Sequence, residues 1–188
     1  MGCPVFKLFQ RKSIGNMLKI RAADKRDFNS VLGISRSMYS EVALNPTFGD
    51  YVFLKRPSRQ RMLKWFNTLL QDVRKDNALY YVAELDGKVV GYCFVRREVP
   101  GSELSHVGVF SILVGKDYRN MGVGKKLLDY VIKESRGRFE ILHLRVFKQN
   151  KIAKALYKSR GFRSFGVAPK FIKRKNSYID REYMYLLL

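Results

Sequence analysis

Residues 17–23, MLKIRAA, alternate apolar and polar positions with the two-residue period of a strand. Asp24 and Asp27 then read as an N-cap and an acidic first turn, and Phe28, Val31, Leu32 and Met38 follow at helical spacing. Pro46, Gly49 and Pro57 mark residues 42–57 as a loop. Ser58 caps a second predicted helix whose stripe is Met62, Phe66, Leu69 and Val73, with Trp65 beside it. Both stripes read as core faces. ALYYVAELDGKVVGYCFVRRE (78–98) places two strand-like runs around the turn signal Asp86-Gly87, a hairpin. SHVGVFSILV (105–114) is a further strand. A glycine-bearing turn leads from it into a helix with Val123, Leu127 and Val131 on one face and Leu128 and Ile132 beside them. FEILHLRVF (139–147) returns to the strand period. Asn150 caps a helix that carries Ala153, Leu156 and Tyr157 and stops at Gly161, with Phe162 as the hydrophobic partner beyond the stop. FRSFGVAP (162–169) and YIDREYMYLLL (178–188) read as two last strands joined by a basic loop, KFIKRKNS.

The predicted order is therefore β α α β β β α β α β β. Strand, crossover helix and strand over 105–147 imply one parallel pair inside an otherwise antiparallel sheet. The expected class is α/β (α+β), a mixed, mostly antiparallel twisted sheet of six to seven strands with about four helices. No internal repeat or linker divides the chain. The 188 residues read as one domain over 17–188, preceded by a tail, 1–16, without periodic pattern.

Composition narrows the setting. Hydrophobic residues make up 46%, which favours a packed core over disorder. No apolar run approaches the roughly 20 residues of a membrane span. The first residues match neither a secretory leader nor, with Phe6 at the sixth position, a myristoylation signal. The two cysteines, Cys3 and Cys93, are far apart and lack histidines at metal-ligand spacing, so no metal site is expected. The expected location is cytoplasmic, with no membrane partner. The net charge of +21 draws the chain to anions: nucleic acid, acidic surfaces or polyphosphate ligands.

One stretch gives that charge a focus. In DYRNMGVGKKLL (117–128), an arginine, two glycines and two lysines occupy the turn that opens the apolar helix. The first N–H groups of a helix lack partners of their own and point outward with partial positive charge, which suits phosphate. A Walker A loop fails here, because Arg119 stands in place of its first glycine and Lys126 in place of its Ser/Thr. A dinucleotide fingerprint fails because Leu127 stands in place of its third glycine. The pattern that fits is Arg/Gln-x-x-Gly-x-Gly/Ala, here Arg119-Asn120-Met121-Gly122-Val123-Gly124. Between a strand and a helix, this resembles the pyrophosphate loop of the GCN5-related N-acetyltransferase (GNAT) superfamily. NKIAKALYKSRGF (150–162) is similar to that family's second signature, and YIDREYMYLLL resembles its last strand.

The resemblance implies an enzyme that moves an acetyl group from acetyl-CoA (coenzyme A as co-substrate) to an amine by direct attack in a ternary complex. It implies that the main chain of Asn120, Met121, Gly122, Val123, Gly124 and Lys125 wraps the pyrophosphate, with Arg119, Lys125 and Lys126 favouring the anion. It implies that the strand end Ile112-Leu113-Val114 splays from 139–147, and that backbone N–H near Leu113 holds the thioester carbonyl. Asn150 would fix the far side of the arm, a role compatible with capping its helix. Tyr157 stands where the family's general acid lies, the alternative being a packed tyrosine. The base is open: Arg145, Gly108 and Phe110 occupy positions where members carry a Glu or His, and His106, His143, Glu84 and Glu103 compete with a water relay or solvent. Cys93 reads as core. The acceptor is an amine-bearing small molecule or a protein N-terminus or lysine, contacted by residues 35–57 and a loop over 167–178, whose basic character favours an anionic partner. Alternative readings are a nucleic-acid- or ribosome-associated binding module and an acyl-CoA binder without activity. The chain could be a monomer or a homodimer.

Overall fold

A computed structural model describes residues 18–44, 56–174 and 177–188. The 1–16 tail and most of the 42–57 loop lie outside the described residues. The elements are β1 (Leu18–Ala22), α1 (Phe28–Leu44), α2 (Arg59–Arg74), β2 (Ala78–Leu85), β3 (Lys88–Arg97), β4 (Val107–Val114), α3 (Val123–Ser135), β5 (Ile141–Phe147), α4 (Lys151–Lys158), β6 (Arg163–Arg174) and β7 (Ser177–Leu187). Their order is the one the hydrophobic pattern predicts. The seven strands form one sheet, β1-β2-β3-β4-β5-β7-β6, antiparallel throughout except for β4 against β5.

Local chemistry sets the helix starts. Asp24 accepts from the Arg26 amide at 2.8 Å while the Asp27 carboxylate accepts from the Asp24 amide at 2.9 Å, a reciprocal cap ahead of α1. The buried Asp27 is paired by the Arg21 guanidinium at 2.7 and 2.8 Å. The Ser58 hydroxyl accepts from the Arg61 amide at 3.1 Å and opens α2.

Helices cover the two sheet faces unequally. α1 and α2 lay Phe28, Val31, Leu32, Phe66 and Leu69 over Tyr80, Val82, Val89 and Tyr92. On the other face α3 and α4 bury Val123, Leu127, Leu128, Val131 and Tyr157 against Cys93, Phe110, Leu142, Leu144 and Met184. Cys93 is thus core, and burial pushes its thiol pKa up, away from the reactive thiolate. Among the described residues, the β6–β7 end reaches past α1 and α2, and Phe147, Ile172 and Ile179 make a small cluster of their own there.

Two boundaries differ from expectation. α1 runs on to Leu44, into the segment predicted as loop. The predicted loop over 167–178 is mostly strand: β6 continues to Arg174 and pairs Ile172 with Ile179 and Lys173 with Tyr178. The pairing slips between Ala168 and Ile172, and Lys170 takes φ 54° with its amide donating to Asp180 Oδ1 at 2.9 Å. That bulge, beside Pro169, breaks the two-residue period, so the sequence reads as a loop where the chain stays extended.

Candidate active site

β4 and β5 pair over three residues only: Val107 with Ile141, Gly108 with Leu142, Val109 with His143. Beyond Val109 each strand keeps its outer neighbour, β4 on β3 to Val114 and β5 on β7 to Phe147. The sheet therefore parts between them. In an antiparallel ladder the main chain of alternate residues points to the same neighbour. Glu98 donates to the Val107 carbonyl and Gly115 to the Val90 carbonyl, both at 2.9 Å, so odd-numbered residues of β4 face β3. Phe110, Ile112 and Val114 then turn their main chain into the parting. Leu113 is directed at Tyr92 on β3 and packs its side chain with the α1–α2 cluster. On the opposite wall Lys148 donates to Asp180 of β7, which leaves Arg145 turned toward the parting by the same alternation.

The turn predicted to bind phosphate lies at the end of β4. Asn120 and Gly122 adopt φ 59° and 81°, which asparagine tolerates and glycine adopts freely. Gly122 is the N-cap of α3 and offers no side chain to its first turn; the first intrahelical bond runs from Lys126 to the Gly122 carbonyl at 3.0 Å. Among the described residues, no protein group accepts from the amides of Asn120 to Lys125. Gly124 sits over Leu156 and Val114, where an added Cβ would lie 3.5 and 3.7 Å from their methyls, so the helix mouth is held against the strand end. Unpaired amides, the positive end of α3, and exposed Lys125 and Lys126 form a cradle that fits a diphosphate.

Arg119 takes a different place from the one expected beside the anion. Its Nη2 donates to Glu41 Oε1 at 2.8 Å, Nη1 to the other carboxylate oxygen, and Nε to the Val114 carbonyl at 3.1 Å. The guanidinium ties the end of α1 to the end of β4, with its charge matched by Glu41. Sequence alone gives no sign of this pair, whose members are 78 residues apart.

Asn150 caps α4, its Oδ1 accepting from the Ala153 amide at 3.1 Å. Two turns on, Tyr157 is buried with its ring edge-on to Phe110 (centroids 6.2 Å apart) and near Phe162 (5.9 Å). Tyr157 therefore stands beside the β4 residue whose main chain opens the parting. His106 does not join it. It precedes β4 and lines a surface hollow with Gly137, Arg138 and Glu140, about 20 Å along the strand from Ile112 at ~3.3 Å per residue. Nor has position 108 room for an acid: a Cβ there would lie 2.5 Å from Val95 Cγ1 and 2.9 Å from Leu142 Cδ2. Glu84 is paired with Arg21 at the far end of the sheet. Glu103 is exposed in the turn before β4. A polar pair at the closed end of the parting is His143 and Glu98, with Nε2 and Oε2 2.7 Å apart on the α1–α2 side of the sheet. Glu98, 45 residues from its partner, is the member that sequence reasoning missed.

Comparison with known proteins agrees with this geometry. The model of the Acetyltransferase (GNAT) family matches residues 37–162. The chain is 29% identical to an N-alpha-acetyltransferase of Sulfolobus acidocaldarius, over 90% of each chain. It is 27% identical to an L-amino acid N-acetyltransferase of Escherichia coli, over 88% of this chain and 94% of the relative. Among solved structures, a phosphinothricin acetyltransferase of Sinorhizobium meliloti in complex with acetyl-CoA superposes with a TM-score of 0.78 at 22% identity, covering 92% of this chain and 89% of the other. A ribosomal-protein-alanine N-acetyltransferase of Brucella melitensis gives 0.77 at 24% identity, over 90% and 99%. Since the family model spans most of the residues that build the parted sheet and the helix mouth, the chain belongs to the GNAT family of acetyltransferases.

Proposed function

We propose that the chain acetylates an α-amino group, that of a peptide N-terminus or an amino acid, using acetyl-CoA bound in the parting of β4 and β5. The observation that carries this reading is the meeting of two unsatisfied main-chain surfaces: the amides of Asn120 to Lys125 and the strand edge of Phe110, Ile112 and Val114. Acetyl-CoA supplies the activated acetyl group. Its diphosphate suits the amide cradle, and its amide-bearing arm suits a strand edge that has lost its neighbour. The Ile112 N–H, rather than that of Leu113, is aimed to polarise the thioester carbonyl. Val114 is partly committed, its carbonyl accepting from Arg119.

Proton handling divides between the two faces of the sheet. Tyr157, on the α3–α4 side, donates to the departing sulfur. His143, on the opposite side and held by Glu98, stands where the acceptor enters and takes the proton of the attacking amine, directly or through one water. Arg145 projects on that same side and is exposed, which favours an acceptor carrying a carboxylate or an acidic side chain near its amine. The N-alpha and amino-acid acetyltransferases among the relatives support the α-amine.

Calorimetry with acetyl-CoA tests the first half of the reading, and an acetylation assay tests the second. The assay compares peptides with a free N-terminus, the same peptides blocked at the N-terminus but carrying lysine, and free amino acids. Heat of binding with acetylation confined to free α-amines is expected. No heat would overturn the cofactor site, and modification of the blocked lysine peptides at equal rate would overturn the acceptor class.

A further inference from the structure

Among the described residues, the part of the sheet face that α1 and α2 do not cover is built from β5, β7 and β6. Cross-strand pairing places Arg145 opposite Tyr183 and Arg163 opposite Tyr185 on this one face. Phe165 lies 5.9 Å, centroid to centroid, from both Tyr183 and Tyr185, and Phe171 lies 6.4 Å from Tyr183 with the Arg181 guanidinium stacked on it at 5.0 Å. Phe165 and Phe171 remain 60% and 54% exposed, unusual for phenylalanines that neighbouring rings already support. The β7 carboxylates are turned away, and Glu98 at the edge of the face is held by His143. Asp180 and Glu182, alternating with Arg181 and Tyr183, project to the opposite face, where they pair with Lys148 and Lys154.

We infer that this face is a docking surface for single-stranded nucleic acid. Flat rings packed against one another on a sheet offer platforms for bases, and Arg145 and Arg163 flank Tyr183 and Tyr185 on the neighbouring strands, where they can meet backbone phosphates. The ligand is anionic, because among the described residues the face presents the guanidinium groups of Arg145 and Arg163 while the neighbouring Glu98 carboxylate is held by His143, on a chain of net charge +21. It must also carry flat apolar surface, because an acidic peptide would satisfy the arginines and leave both phenylalanines in water. A strand of bases on phosphates meets both demands. Duplex DNA buries its bases and meets only the first.

The test is fluorescence anisotropy of the full chain with a labelled single strand of about 12 nucleotides, within the span one such surface covers. Poly-glutamate of matched charge and a duplex of the same sequence serve as competitors. The expected result is binding that weakens by at least about tenfold between roughly 50 and 200 mM salt. The double variant F165A/F171A should lose about tenfold or more in affinity. F165W should keep it, and R163A should shallow the salt slope by about one unit. Acetyl-CoA binding by the same variants, measured in parallel, reports that the distant cradle is intact. Unchanged oligonucleotide affinity in F165A/F171A would overturn the inference. So would poly-glutamate or duplex competing as well as the single strand.

Discussion

At the scale of single residues, the site depends on two positions that sequence presents alike as small or aromatic and that the structure separates by role. Tyr157 is packed, its ring edge-on to Phe110, yet the strand it touches is the one whose main chain faces the parting. Removing the hydroxyl should leave the ring contacts in place and take away the proton donor. Tyr157→Phe is therefore expected to lower kcat by about 10²–10⁴, the usual range for a general acid, with acetyl-CoA affinity kept. Steady-state kinetics beside calorimetry would show it, and an unchanged kcat would reduce Tyr157 to a packing residue. Gly108 is the converse case. Its position on β4 invites comparison with the acidic base of some members, but the strand passes so close to Val95 and Leu142 that even a methyl lands at 2.5 Å. Gly108→Ala should cost about 1–3 kcal/mol of stability, the range for overpacking a filled core, and should weaken the short β4–β5 pairing. Denaturant titration would measure the loss. A neutral result would mean that the strands can move apart there and that the apex of the parting is soft.

At the scale of elements, α4 must be held firmly if Tyr157 is to keep its place, and one ion pair does this. Lys154 of α4 reaches Glu182 of β7 at 2.6 Å, and Glu182 is 5% exposed. Burial works against the Glu182 charge, but the hydrogen bonds from Lys154 and Ser164 outweigh it and hold the carboxyl below the usual carboxylate range. A carboxyl depressed on folding contributes stability that is fully present above its unfolded value near 4.3, and that is lost as pH falls through the folded value. Glu182→Gln should thus cost about 1–2 kcal/mol at neutral pH, less than a fully buried pair because Lys154 keeps contact with water. It should also flatten the loss of stability between pH 6 and pH 3. Thermal melts across that range would show parallel curves for the two proteins if the pair carried no linkage. Elements of this kind were legible in the sequence wherever one chain segment carries its own signal. The Asp24 and Ser58 caps, the Asp86-Gly87 hairpin and the stripe of α3 are local patterns, and the structure has each in place. The turn of unpaired amides at the mouth of α3 was legible for the same reason, since six consecutive residues make it. What stayed hidden needs two distant segments at once. Glu41 on Arg119, Glu98 on His143 and the bulge that keeps β6 extended through Lys170 leave no periodic mark, and His106 looked eligible only because a sequence does not show which end of a strand faces the cleft.

At the scale of the whole molecule, the charge that draws polyanions also strains the fold. Lysine and arginine number 37 against 16 aspartate and glutamate. Many of those acids are already engaged at short range, Asp27 and Glu84 by Arg21, Glu41 by Arg119, Asp72 by Arg96, Asp76 by Arg97 and Arg138. The surplus cations are spread over the surface and repel one another across distances that low salt does not screen, about 30 Å at 0.01 M against about 8 Å at 0.15 M. Contact pairs such as Arg21 with Asp27, at 2.7 Å and with the carboxylate buried, are screened far less. Raising sodium chloride from roughly 10 to 300 mM should then relieve more repulsion than it weakens attraction, and Tm should rise, by about 2–4 °C for each kcal/mol recovered in a chain of this size. A falling Tm would place the balance with the ion pairs. The choice of anion separates this general field from the site. Chloride only screens, whereas pyrophosphate at the same ionic strength has the unpaired amides of the α3 mouth to bind and should stabilise further by mass action. Equal melting temperatures in the two salts would mean that the cradle does not select a diphosphate from the rest of a positive surface.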